Sequence, residues 1–161
     1  MLLVYTIGGI SGSHVNPAVT VGLWSIGKMR MQEAMTYLVA QVLGAVAAQL
    51  IFQAFTGSFP SVDVTDKMGW ATTVAEAIGA FILVFGVSAA VHEKTHKAAN
   101  GLTIGVALLL GILLAMPTSV GIVNPAVSMG LRVYPAAYLV GPLIGGILAA
   151  HFYQWLSKTE A

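Results

Sequence analysis

Four groups of side chains in this sequence could do chemistry. His92-Glu93-Lys94-Thr95-His96 sets two imidazoles one helical turn apart beside a carboxylate, the pattern that holds zinc and activates a metal-bound water. Glu76 stands inside an apolar run, where a buried carboxylate marks either a functional group or a structural prop. His14 titrates near neutrality and suits a structural or a pH-sensing role, while His151 near the end of the chain is assigned nothing. Asn16 and Asn124 each precede Pro-Ala-Val, which puts Asn at a helix cap and Pro at the first helical position, where its missing N–H costs nothing. A helix start carries unpaired N–H groups and partial positive charge, so two such starts in an apolar chain point to a paired site for polar solutes.

The zinc-like pattern falls in a charged turn between apolar stretches and has no evident third ligand, so no metal, cofactor or enzymatic activity is expected. Glu76 has no chain of titratable partners, which favours a structural prop over proton relay.

Composition sets where these groups must work. Of 161 residues, 57% are hydrophobic and 8% charged, too few charges to cover a water-facing globule, and the chain belongs in a bilayer. A formal charge of +1 without a basic stripe argues against nucleic-acid binding. There is no cysteine, so disulfides and thiolate chemistry are excluded. Met1 to Ile10 is apolar but lacks a basic leader and is followed directly by loop residues, so a signal peptide is not expected.

The elements follow from apolar length and punctuation. Residues Met1 to Ile10 make about 15 Å of helix, roughly half a bilayer core, so the chain is expected to begin partway through a span. A loop and a short helix from Pro17 to about Ile26 come next, ended by Gly27, Lys28 and Arg30. A span is predicted over Gln32 to Phe55, with Ala40, Gly44 and Ala48 at the four-residue spacing that lets helices approach closely in lipid. A polar connection over 57 to 69 leads to spans at Ala71 to Val91 and Gly101 to Met116. A second short helix runs from Pro125 to about Arg132, and a last span from about Ala136 to Leu156 carries Gly141, Gly145 and Ala149 as a further close-packing stripe. Trp24, Trp70 and Trp155 fall near span ends, as interfacial aromatics do.

The chain repeats. Ser11 to Trp24 laid over Ser119 to Arg132 aligns both Asn-Pro-Ala-Val runs, and Tyr37 laid on Tyr138 aligns Gly44 with Gly145 and Gln53 with Gln154. The first repeat is expected at 1–56, partial; a connecting loop at 57–70; and a complete second repeat at 71–161. Placing Lys28, Arg30, Lys94, Lys97 and Lys158 on one face, the cytoplasmic one, leaves Lys67 and Arg132 on the other. The two short helices then enter from opposite faces and the repeats are inverted.

Ser11-Gly-Ser-His-Val-Asn-Pro-Ala-Val-Thr20, the second Asn124-Pro125-Ala126 and the run Tyr138 to Gly146 resemble an aquaporin, of the major intrinsic protein family. The resemblance covers nearly the whole chain. It implies an all-α membrane protein, an aquaporin-like inverted repeat whose two half-helices meet at the midplane; against six family spans, this chain lacks the first and most of the second and is N-terminally incomplete. It implies a passive channel for water and small uncharged solutes, constricted at Asn16, Pro17, Ala18, Asn124, Pro125 and Ala126, with both amide NH2 groups donating to the passing oxygen and both carbonyls tied to backbone. It further implies a tetramer in the lipid bilayer of the plasma membrane.

The same resemblance assigns Glu76 to support of the second loop; His14 is the loop-support candidate in the first, for which no matching glutamate is present, so that loop is expected to be poorly supported. The outer filter positions correspond to Ile112, Gly121 and Val127, with Val127 where an Arg usually stands, which implies a wider and more apolar outer gate. Ser128, where glycerol-conducting relatives usually carry Asp, leans toward water. A non-conducting membrane protein is the alternative; an ion-coupled transporter would need midplane charges, and Glu76 alone is available.

Overall fold

The structure is a computed structural model that describes residues 1–92 and 94–158. Seven α-helices and one short 3-10 turn follow in order: α1 Leu2–Ser11, α2 Pro17–Ser25, α3 Met31–Thr56, α4 Trp70–Val91, the 3-10 turn Lys97–Ala99, α5 Asn100–Ala115, α6 Pro125–Gly130 and α7 Ala136–Lys158. Among the described residues there is no strand, and α3, α4, α5 with its 3-10 lead-in, and α7 are long and apolar enough to cross a membrane. Ends match the predicted ones within about two residues, the spread that fraying allows.

The turns between helices are set by local chemistry. Glu33 reaches back to the Arg30 backbone N–H at 2.9 Å, which starts α3. Gly57, at φ 75°, ends it in the left-handed conformation that residues with a Cβ avoid.

The interior is a stack of helices held by small residues. α2 lies between α4 and α7, where Val19, Leu23, Leu83, Val84, Val87, Ala149 and Ala150 form one buried cluster. A methyl added at Gly22 would stand 2.7 Å from the Gly146 carbonyl, so only glycine lets α2 seat this deeply against α7. The stripe on α7 works as expected, since a methyl at Gly141 would meet the Thr73 carbonyl of α4 at 2.7 Å.

The matching stripe on α3 behaves differently. Gly44 has open space where a Cβ would go, and Ala34 is the one buried residue that α3 contributes among the described residues. Ala40, Gly44 and Ala48 instead border a cavity of about 600 Å³ between α3 and α6. Small residues at this spacing make a close approach feasible but do not supply the partner.

Candidate functional site

Glu76 organises the second loop. Its carboxylate is fully buried on α4 and accepts from Ser119 Oγ at 2.7 Å, from the Ile122 N–H at 2.9 Å and from the Val123 N–H at 2.5 Å. Ser119 Oγ in turn accepts from the Gly121 N–H at 2.8 Å. Several donors on one anion satisfy its lone pairs inside the protein, which makes burial of the charge tolerable. The pull on Val123 is visible in its backbone, held at φ 46°, a region that β-branched residues rarely enter.

That strained residue aims its carbonyl across the molecule. Asn16 caps α2 through its side-chain oxygen, which accepts from the Ala18 N–H at 2.9 Å, and its amide nitrogen donates to the Val123 carbonyl at 2.9 Å. Asn124 does the reciprocal thing: its oxygen accepts from the Ala126 N–H at 3.0 Å and its amide donates to the Val15 carbonyl at 3.0 Å. Each asparagine thus grips the residue immediately before the other. Pro17, Ala18, Pro125 and Ala126 are buried behind this junction, so the N-termini of α2 and α6 meet there.

The carbonyl oxygens are tied to backbone, and one N–H of each amide is spent on the opposite loop. The second N–H of each has no protein acceptor among the described residues, so the junction offers one free donor per asparagine, two in all.

The first loop is also held, contrary to the expectation that it is poorly supported. Tyr37 on α3 donates to the Ser11 carbonyl, and one turn on, Gln41 donates to the His14 carbonyl and, at 2.9 Å, to Thr20 Oγ1 of α2. These bonds reach backbone carbonyls from the α3 side, whereas Glu76 takes backbone N–H groups from the α4 side. His14 is therefore the held residue rather than the holder. Its ring packs 4.9 Å from Tyr37, burial pushes its pKa down, and its Nδ1 has no hydrogen-bond partner. Ser13 Oγ and Gln41 Oε1 are buried without partners as well, and all three residues border the cavity along α3.

The three outer positions do not converge on one space. Gly121, at φ 68°, lies directly against Ile112, whose carbonyl would be 3.0 Å from a Cβ placed on the glycine. Val127 is 44% exposed and borders the α3 cavity with Pro60 and Leu131, a space that neither Ile112 nor Gly121 lines. Ser128 is fully buried and donates to the Val133 carbonyl, so its hydroxyl serves the turn after α6.

The remaining candidates separate. Glu93 lies outside the described residues. His92 Nδ1 sits 2.9 Å from the Ser88 carbonyl, whereas His96 accepts from the Ala98 N–H at 3.3 Å to start the 3-10 turn. Among the described residues no three His, Cys, Asp or Glu side chains are grouped to hold a metal. His151 is exposed on α7. From sequence, Tyr37 stands out only as a repeat position and Gln41 not at all; two polar side chains four residues apart on one face of the span were the available signal.

Comparison with known proteins fits this geometry. The model of the major intrinsic protein family matches residues 1–153. Aquaporin AqpM of Methanothermobacter marburgensis is 33% identical across 96% of this chain and 72% of its own length. Aquaporin Z of Bradyrhizobium diazoefficiens is 34% identical across 97% of this chain and 74% of its own. The probable aquaporin PIP2-2 of Oryza sativa is 32% identical across 99% of this chain and 63% of its own. With its helical fold and apolar spans, the chain therefore belongs to the major intrinsic protein family and is a multi-pass membrane channel protein for water or small solutes, not an enzyme.

Proposed function

We propose that the chain conducts water, and small uncharged solutes of similar size, past the junction of Asn16-Pro17-Ala18 with Asn124-Pro125-Ala126. The observation that carries this reading is the reciprocal bonding of the two asparagines, which fixes both amides and leaves one donor on each for a passing oxygen. Two helix N-termini meeting at that point add positive potential, which disfavours cations. Ile112, Gly121 and Val127 bring no charge, so whatever selection these three positions supply rests on width. The likeness to aquaporins supports extending the proposal to a homotetramer in the plasma membrane.

The test is osmotic shrinkage of proteoliposomes followed by stopped-flow light scattering. Wild-type vesicles are expected to shrink faster than empty ones, and Asn16→Ala and Asn124→Ala are each expected to remove most of the difference. Equal rates for wild-type and empty vesicles would overturn the proposal. One observation favours the non-conducting alternative: among the described residues nothing covers the cavity along α3. Vesicles holding folded protein without added permeability would establish it.

A further inference from the structure

We propose that Lys67 sets the charge selectivity of this channel by occupying a cluster of backbone carbonyls at the end of α5. The proposal deepens the channel reading and rests on it.

α5 ends at Ala115, and the C-terminus of a helix carries partial negative charge on carbonyls that lack intrahelical partners. Here those carbonyls continue straight into the loop that ends at Asn124. Clusters of backbone carbonyls are the groups that replace water around a permeating cation. In this chain they are already taken. Lys67 Nζ donates to the Ser119 carbonyl at 2.7 Å and approaches the Met116 carbonyl at 3.5 Å, while Thr72 Oγ1 donates to the Thr118 carbonyl at 3.3 Å.

Ser119 links this ammonium to the site. Its hydroxyl donates to Glu76, the carboxylate that positions Ile122 and Val123, so Lys67 touches the outer end of the network that sets the junction. Arg132 and Asp63 are engaged elsewhere, and Asp66 is the carboxylate next to Lys67 in the chain. The Arg132 guanidinium lies 4.6 Å over the Phe59 ring, and Asp63 accepts from the backbone and hydroxyl of Thr65 at 3.0 and 2.7 Å. Val127 brings no charge. Lys67 therefore occupies carbonyls that would otherwise attract a cation to the loop that ends at Asn124.

Reconstituted Lys67→Gln and Lys67→Arg test this, with water flux and sodium leak measured on the same vesicles. Glutamine is one bond shorter, keeps an N–H donor and loses the charge; arginine keeps a donor and the charge. Sodium leak relative to water flux is expected to rise about threefold or more in Lys67→Gln, the order set by loss of one solvent-screened unit charge. It is expected to stay at the wild-type value in Lys67→Arg, and the gap between variants is expected to narrow as ionic strength rises. Water flux with unchanged leak in Lys67→Gln overturns the proposal alone, as does a leak difference indifferent to salt or an equal loss of water flux in both variants. Wild-type vesicles that shrink no faster than empty ones overturn the channel reading and this proposal together.

Discussion

Glu76→Gln separates the charge of this residue from its shape. The carboxylate serves two acceptor oxygens to three donors, Oε1 to Ser119 and Ile122 and Oε2 to Val123. Glutamine has the same outline but one oxygen. If that oxygen takes Ser119 and Ile122, its NH2 faces the Val123 N–H, donor against donor, and the opposite flip sacrifices the other pair. Losing one charge-assisted bond costs about 1.5–3 kcal/mol and leaving a buried N–H unpaired about 1–3 kcal/mol more, so a loss of roughly 3–5 kcal/mol is expected.

The loss has a functional route as well as an energetic one. Val123 sits at φ 46° while its N–H is held; once released, it is expected to relax toward ordinary backbone geometry and carry its carbonyl away from Asn16. Asn16 then loses the bond that fixes its amide. The variant should show a lowered thermal midpoint in detergent and a water permeability reduced beyond what its folded fraction explains, both measured against wild type on one preparation. Wild-type stability together with wild-type permeability would refute the reasoning, because three buried donors would then have no need of the charge.

The α3 side of the site gives a second test. Tyr37→Phe removes one donor to the first loop and should cost about 1 kcal/mol, while Gln41→Ala removes two bonds and should cost more and lower water flux further; reversed ranking by thermal denaturation and shrinkage would contradict the geometry. His14 predicts a pH dependence. Burial lowers its pKa in the folded state below the usual 6.5, so the unfolded chain binds the proton first as pH falls. The stability that neutral His14 preserves is complete above 6.5 and is lost between that value and the lowered one. Thermal midpoints should therefore fall as pH drops below 6.5, and His14→Asn should flatten the fall.

Much of the architecture was legible because membrane helices announce themselves by length and their ends by caps. Asn16-Pro17 and Asn124-Pro125 start helices for reasons that lie within a few residues, and α7 packs its glycine stripe where the repeat suggests. What stayed hidden depends on the approach of distant segments. That each asparagine spends an N–H on the residue before the other requires two loops over a hundred residues apart to touch, and nothing local encodes it. The prop on the first loop was missed because Gln41 reaches carbonyls from a helix that the search for a second buried glutamate ignored. Ala40, Gly44 and Ala48 misled for the opposite reason, since the stripe records how near a neighbour can come and not which neighbour does.

The two asparagine bonds also form a clasp. Because each half-helix holds the other at the residue just outside its own first turn, neither can withdraw toward its face of the membrane without undoing both bonds at once. A movement that opens or shuts the proposed path is therefore expected away from this junction, in turns such as the one that carries Lys67, while the junction itself stays fixed. Changes in the outer turns, the charge at Lys67 included, can then accumulate in evolution without disturbing the geometry of the two asparagines.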